Sequence, residues 1–167
     1  MKQGLESDIQ DLLQMRLAHI SDEELLLTWR NSPDVVIFTQ SKRVISPEEH
    51  NLWFHNRLKI LKREPIFIFE LLGKPIGMTR LDFTGDSEDF LNISILVEGS
   101  HRGKGYGISM VKRTSQFAMN TLNAKKVFAV VNSLNSPSMQ LFQRCGFREL
   151  KNEIDFKTYE WLADDKA

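Results

Sequence analysis

Three glycines stand at alternate positions in the run Arg102-Gly103-Lys104-Gly105-Tyr106-Gly107, between an apolar stretch and a stretch with helical spacing. Residues without a Cβ let backbone amides come close to a ligand, and amides at the start of a helix favour an anion, so the run is a candidate phosphate cradle. Two common nucleotide patterns fail on spacing. A dinucleotide fingerprint counted from Gly103 needs glycine where Ile108 stands, and no G-x-x-x-x-G-K-[ST] pattern occurs in the chain. What remains is a glycine loop that an anionic group can approach closely.

The elements that must hold such a loop can be read from capping signals and periodicity. "MRLAHI" reads as a short strand ending at Ile20, and Ser21 with Glu24 forms a capping box for a helix from about Asp22 to Asn31, ended by Pro33. Ser46-Pro47-Glu48-Glu49 starts a second helix, expected to run to about Lys62 with His50, Phe54, Leu58 and Leu61 on one stripe. "PIFIFELL" and "PIGMTRLDF" across Gly73-Lys74 read as a hairpin, and "FLNISILV" as a third strand leading into the glycine loop. After the loop, Ile108, Val111, Ala118 and Leu122 recur at helical spacing over about Lys104 to Asn120. "KVFAVV" is a continuous apolar run, expected as a strand covered on both faces. "SPSMQLFQRCG" reads as a helix started at Ser136-Pro137 and closed by Gly146, and "FRELKN" with "DFKTYEWL" as an antiparallel pair. The expected order is strand, two helices, three strands, helix, strand, helix, two strands.

Composition bounds what this α/β (α+β) chain can be. With 167 residues and 41% hydrophobic content, one domain spanning 1–167 is expected, with residues 1–12 as a loose polar arm. Lysine plus arginine and aspartate plus glutamate number 22 each, so the net field gives no reason to expect nucleic acid as a partner. A single cysteine, Cys145, excludes an internal disulfide and a cysteine metal cluster, and no metal is expected. Residues 1–10 lack the apolar core of a signal peptide, and no apolar run is long enough to span a membrane. A cytoplasmic protein without a membrane partner is the expectation, and a homodimer is one of the assemblies open to it.

The glycine run resembles the pyrophosphate loop of the GNAT superfamily of acetyl-CoA-dependent N-acetyltransferases, whose motif [RQ]-x-x-G-x-[GA] is filled by Arg102, Gly105 and Gly107. A second family motif, N-x-x-S-x-x-L-[YF]-x-x-x-G-F, is matched by Asn135, Ser138, Leu141, Phe142, Gly146 and Phe147, one strand and one loop later. The resemblance covers the chain from about Met15. It implies a mixed, mostly antiparallel sheet of about six to seven strands, a splayed central parallel pair and about four flanking helices. It implies acetyl-CoA as cosubstrate, held by Leu96, Val97, Arg102, Gly103, Lys104, Gly105, Tyr106, Gly107, Asn135, Ser138 and Phe142, with its pantetheine arm between the strand of Ile95–Val97 and "KVFAVV". A strand amide near Leu96 or Val97 would hold the oxyanion that forms on the acetyl group.

Alkyl amines have a pKa of about 10 and are protonated near neutrality, so transfer needs a proton acceptor. The family often supplies a carboxylate near the strand before the glycine loop, which makes Glu98 the candidate base, with Asp89 and Asp82 behind it. The thiolate of CoA usually takes its proton from a tyrosine at the position that Phe142 fills here, and no acid is assigned in its place.

"TWRNSPDV" and "ISPEEHNLWF" resemble a subgroup with W-R-N near the first helix and E-H-x-x-W-F on the second. That subgroup acetylates nucleotide-linked 4-amino sugars in pseudaminic acid and related pathways, and has ribosomal-protein N-terminal acetyltransferases as neighbours. It implies Arg30, Asn31, His50 and Trp53 near the acceptor, arginine gripping a diphosphate and tryptophan stacking on a ring. Three functions follow in order: an amino-sugar N-acetyltransferase, a protein N-terminal or small-amine acetyltransferase, and a non-catalytic acyl-CoA-binding module.

Overall fold

Four apolar residues in succession, Ile66 to Phe69, are all buried, which a strand achieves only where both faces of its sheet are covered. The computed structural model describes residues 12–85 and 87–162, so all of the expected N-terminal arm but Leu12 lies outside the described residues. The strands are β1 (Leu13–Leu17), β2 (Ile66–Leu71), β3 (Lys74–Thr84), β4 (Ser87–Val97), β5 (Lys126–Asn132), β6 (Arg148–Asn152) and β7 (Phe156–Leu162). They form one seven-stranded sheet in the order β1-β2-β3-β4-β5-β7-β6, antiparallel everywhere except between β4 and β5. The helices are α1 (Glu23–Arg30), α2 (Pro33–Val36), α3 (Pro47–Leu58), α4 (Tyr106–Asn120) and α5 (Ser136–Arg144).

Alternation along β2 divides the core. Ile66 and Ile68 face α1 and α3, where they meet Leu26, Trp29 and Phe54. Phe67 and Phe69 face α4, where they meet Tyr106 and Met110. Further along that second face, Leu81, Leu91, Ile93, Val127 and Ala129 pack with Val111 and Ala118 of α4 and with Phe142 of α5. A fully buried side chain of this size contributes roughly 1.5–3 kcal/mol, so the sheet positions its loops on a rigid base.

Several expectations need correction. Pro33 does not simply end a helix; it opens α2, where its fixed φ suits the first helical position, so three helices rather than two follow β1. Ser21 does not cap α1. His19 caps a short 3-10 turn, Ile20–Asp22, and the Asp22 carboxylate accepts from the His19 amide at 2.7 Å while pairing with Arg16. The second helix, α3, stops at Leu58, short of Lys62. α5 does start at Ser136, as expected, and Asn135 caps it, its Oδ1 accepting from the Ser138 amide at 3.2 Å. β5 is not covered on both faces: Val127, Ala129 and Val131 are buried, whereas Val130 is 45% exposed. α4 and α5 pack on the face of β5 that carries Val127, Ala129 and Val131, and Val130 alternates to the other face.

Candidate active site

β4 and β5 pair only through Phe90↔Lys126, Leu91↔Val127 and Asn92↔Phe128. Both strands continue, β4 to Val97 and β5 to Asn132, with no further pairing between them. Backbone groups on the facing edges are thus left open to a ligand, while the other edge of β4 stays paired to β3 as far as Val97. The gap opens into a cleft of about 610 Å³, bounded by Ile93 to Val97, by Val130 to Asn132, by the glycine loop, and by the cleft-facing residues of α5. Its outer wall is Asp34, Val35, Phe38 and Thr39, from α2 and the turn after it.

The glycine loop meets this cleft at the N-terminus of α4. Gly105 is the cap, at φ +86°, and it lacks a side chain that could satisfy the first-turn amides. No acidic residue lies in that turn, and the first paired amide is Ile108, donating to the Gly105 carbonyl at 3.2 Å. Among the described residues the amides of Tyr106 and Gly107 have no acceptor, and the helix dipole adds roughly half a positive charge there. A Cβ on Gly105 would meet no protein atom within 4 Å, so the space beside it is open to a ligand. Gly107 has a different reason to be glycine: a Cβ there would lie 3.2 Å from a Leu141 methyl, where α4 crosses α5.

The residues expected to hold the cofactor divide into two sets. Leu96, Val97, Arg102, Gly103, Gly105, Gly107, Asn135, Ser138 and Phe142 all line the cleft. Lys104 and Tyr106 do not. Lys104 points to solvent, and Tyr106, 9% exposed, packs with Leu13, Phe67 and Phe69, leaving only its backbone to the loop. Arg102 donates through Nε to the Val97 carbonyl at 2.8 Å and pairs with the Asp34 carboxylate, which holds Asp34 below the usual carboxylate range. These donors fit a diphosphate: two free amides, a helix N-terminus and an exposed guanidinium. Phe142 is 2% exposed and packs edge-on against Phe147, an apolar wall where the family tyrosine would present a hydroxyl.

Glu98, the expected base, is engaged in its own turn. Its carboxylate caps the turn that follows β4, accepting from the Ser100 amide at 3.0 Å and from the Ser100 hydroxyl, and lies 2.7 Å from His101 Nδ1. Those bonds, the Ser100 hydroxyl first, pull its pKa down to about 2, and so weak a base accepts protons poorly near neutrality. Asp82 is clamped by Arg57 and Arg80, and Asp89 by Lys125 at 2.7 Å; neither lines the cleft.

The four expected acceptor residues lie outside the cleft lining and have structural partners. Asn31 bonds both backbone groups of Ile45, at 2.9 and 2.8 Å, closing the loop between α2 and α3. His50 is 4% exposed, stacked on Phe54, with Nε2 bonded to the Glu23 carbonyl at 3.0 Å; burial pushes its pKa down and keeps the ring neutral. Trp53 has the guanidinium groups of Arg57 and Arg80 over its ring, each within 6 Å of the centroid. Arg30 reaches the Ser41 hydroxyl at 3.1 Å. Sequence reasoning missed Asp34, Phe38, Thr39, Ser94 and Asn132 of the lining. Of these only Asn132 carried a signal, a polar residue ending an apolar strand three positions before a helix cap.

An acetyltransferase (GNAT) domain model matches residues 13–148. Spermidine N(1)-acetyltransferase of Vibrio cholerae serotype O1 is 24% identical over 74 residues, a match covering 44% of this chain and 41% of that protein, less than half its length. The crystal structure of spermidine N-acetyltransferase from Vibrio cholerae with CoA and spermine superposes with a TM-score of 0.81 at 19% identity, over 91% of this chain and 96% of that one. A domain from Methanocaldococcus jannaschii superposes with a TM-score of 0.80 at 25% identity, over 90% and 98% of the two chains.

Proposed function

The chain belongs to the GNAT acetyltransferase family, and on that premise we propose that it transfers the acetyl group of acetyl-CoA to a small primary amine. One observation carries the proposal: the parting of β4 from β5 after Asn92 opens a cleft that ends at the uncapped N-terminus of α4. Acetyl-CoA supplies an activated thioester. The amides of Tyr106 and Gly107 bind its diphosphate, with Arg102 as counter-charge, and the unpaired edges of β4 and β5 orient the arm between them. Leu96 and Val97 lie where a strand amide can polarise the acetyl carbonyl.

A small amine is favoured over a nucleotide-linked 4-amino sugar. The latter rests on Arg30, Asn31, His50 and Trp53, and two of these, Asn31 and His50, are taken up in closing a loop and filling a core. The known substrate of the Vibrio cholerae relative is a polyamine, which supports the broader class. Thiol release from acetyl-CoA tests the choice with three acceptors: spermidine, a UDP-linked 4-amino sugar and a peptide with a free N-terminus. Release with spermidine is expected. Release with the sugar alone would restore the narrower acceptor, and release with none of the three, although acetyl-CoA binds, would favour an acyl-CoA-binding module.

A further inference from the structure

Among the buried polar side chains, Asn132 is the one that lines the cleft; it is 6% exposed and stands at the end of β5, and Phe142 lines the same cleft. Its Oδ1 accepts from the Leu134 amide at 2.9 Å, which fixes the orientation of the carboxamide. Its Nδ2, with two N–H donors, bonds to no acceptor among the described residues. Nor is it sealed off, as the orphaned Asn92 Oδ1 and Ser115 Oγ are, so it retains an opening, and the cleft supplies one. Buried donors with no protein acceptor call for a ligand atom or water.

What that atom must be follows from the bound arm and from Phe142. The family resemblance sets the sulfur of the bound arm at the position that Phe142 fills, and Phe142, a buried residue of the cleft lining, has no hydroxyl to offer it. We propose that Asn132 donates through Nδ2 to the sulfur of CoA and stabilises it as the departing thiolate. This rests on the acetyl-transfer reading above. In the step concerned, the amine nitrogen bonds the acetyl carbon and the carbon–sulfur bond breaks with its electron pair going to sulfur. The amine's surplus proton passes to water, and no proton leaves Asn132. A thiol pKa of about 8.5 makes the thiolate a tolerable leaving group, and a charge-assisted hydrogen bond lowers its energy further.

The direct test reads the pKa of the bound thiol rather than turnover. Free CoA is bound to the wild-type protein, to Asn132→Asp, which keeps an oxygen for the Leu134 amide, and to Asn132→Leu, which is neutral and similar in size. Ultraviolet absorbance of the thiolate is then followed against pH. The bound thiol is expected to titrate at least one unit higher in both variants than in the wild type, a tenfold shift in ionisation. kcat should fall about tenfold to a hundredfold in parallel, with KM for acetyl-CoA within threefold. An unchanged pKa in Asn132→Leu would overturn the assignment even if Asn132→Asp shifted, because the added charge alone would explain the latter. Wild-type protein that bound no CoA would instead overturn the acetyl-transfer reading itself.

Discussion

Two helices of this protein begin in opposite ways. At α3, Ser46 Oγ accepts from the Glu49 amide at 3.1 Å, Pro47 has no N–H to satisfy, and Glu48 and Glu49 place negative charge in the first turn. Glu49 is further held by Arg43 at 2.6 Å. At α4, Gly105 offers no cap, the first turn has no acid, and the amides of Tyr106 and Gly107 have no acceptor among the described residues. The first helix is complete within its own sequence, whereas the second leaves open amides that, on the function proposed above, a bound diphosphate completes. A helix start that is costly to leave open is retained where a ligand's negative charge closes it.

The largest effect is expected where that difference is erased. Gly105→Val puts a side chain into space that holds no protein atom, so acetyl-CoA affinity should fall about a hundredfold or more by calorimetric titration. Thermal stability should fall too, by about 1–2 kcal/mol, because a β-branched residue at φ +86° is strained. Unchanged affinity in a folded variant would mean that the loop does not hold the diphosphate. Phe142→Tyr should raise kcat about tenfold if the tyrosine hydroxyl reaches the sulfur as the family pattern implies, and an unchanged kcat would show that a hydroxyl at this position adds nothing to the donor proposed at Asn132.

At α3 the same kind of disturbance should touch only stability. Ser46→Ala should cost about 1 kcal/mol in denaturant unfolding and leave acetyl-CoA affinity unchanged, and a weakened affinity would show that the two helix starts are not independent. His50 adds a pH signature. Its pKa in the folded state lies below the unfolded value of 6.5, so the unfolded chain binds the extra proton first and stability is lost as pH falls below about 6.5. His50→Asn should flatten that loss in melts between pH 7 and 5. The smallest change is expected for Glu98→Gln: kcat within about twofold of wild type from pH 6 to 9, since a carboxylate with a pKa of about 2 does not titrate there. A rate that drops selectively at low pH would return Glu98 to the role of base.

The strands and the glycine loop were legible in sequence because their signals are local: alternation, turn residues, and glycines at fixed spacing before an amphipathic run. The Ser46 cap was legible for the same reason. Other features were decided by partners distant in sequence. The stripe of His50 and Phe54 showed that the histidine belonged to a helix face, but only the Glu23 carbonyl and the Phe54 ring make it a neutral core residue. Asn31 is spoken for by Ile45, and Asp82 by Arg57 from α3. The bonds of Glu98 are local by contrast, because a carboxylate followed by Ser100 and His101 can close its own turn. The exposure of Val130 could not be read from "KVFAVV", since it depends on which face of β5 the distant helices α4 and α5 cover.

The central claim is that the open start of α4 and the gap between β4 and β5 form one site for acetyl-CoA. Calorimetric titration of the wild-type protein with acetyl-CoA and, separately, with its 3′,5′-ADP fragment and with pantetheine tests it most directly. One continuous site predicts saturable binding of acetyl-CoA that is tighter than that of either fragment and is weakened when either fragment is already present. Absence of acetyl-CoA binding, or binding that neither fragment competes with, would contradict it.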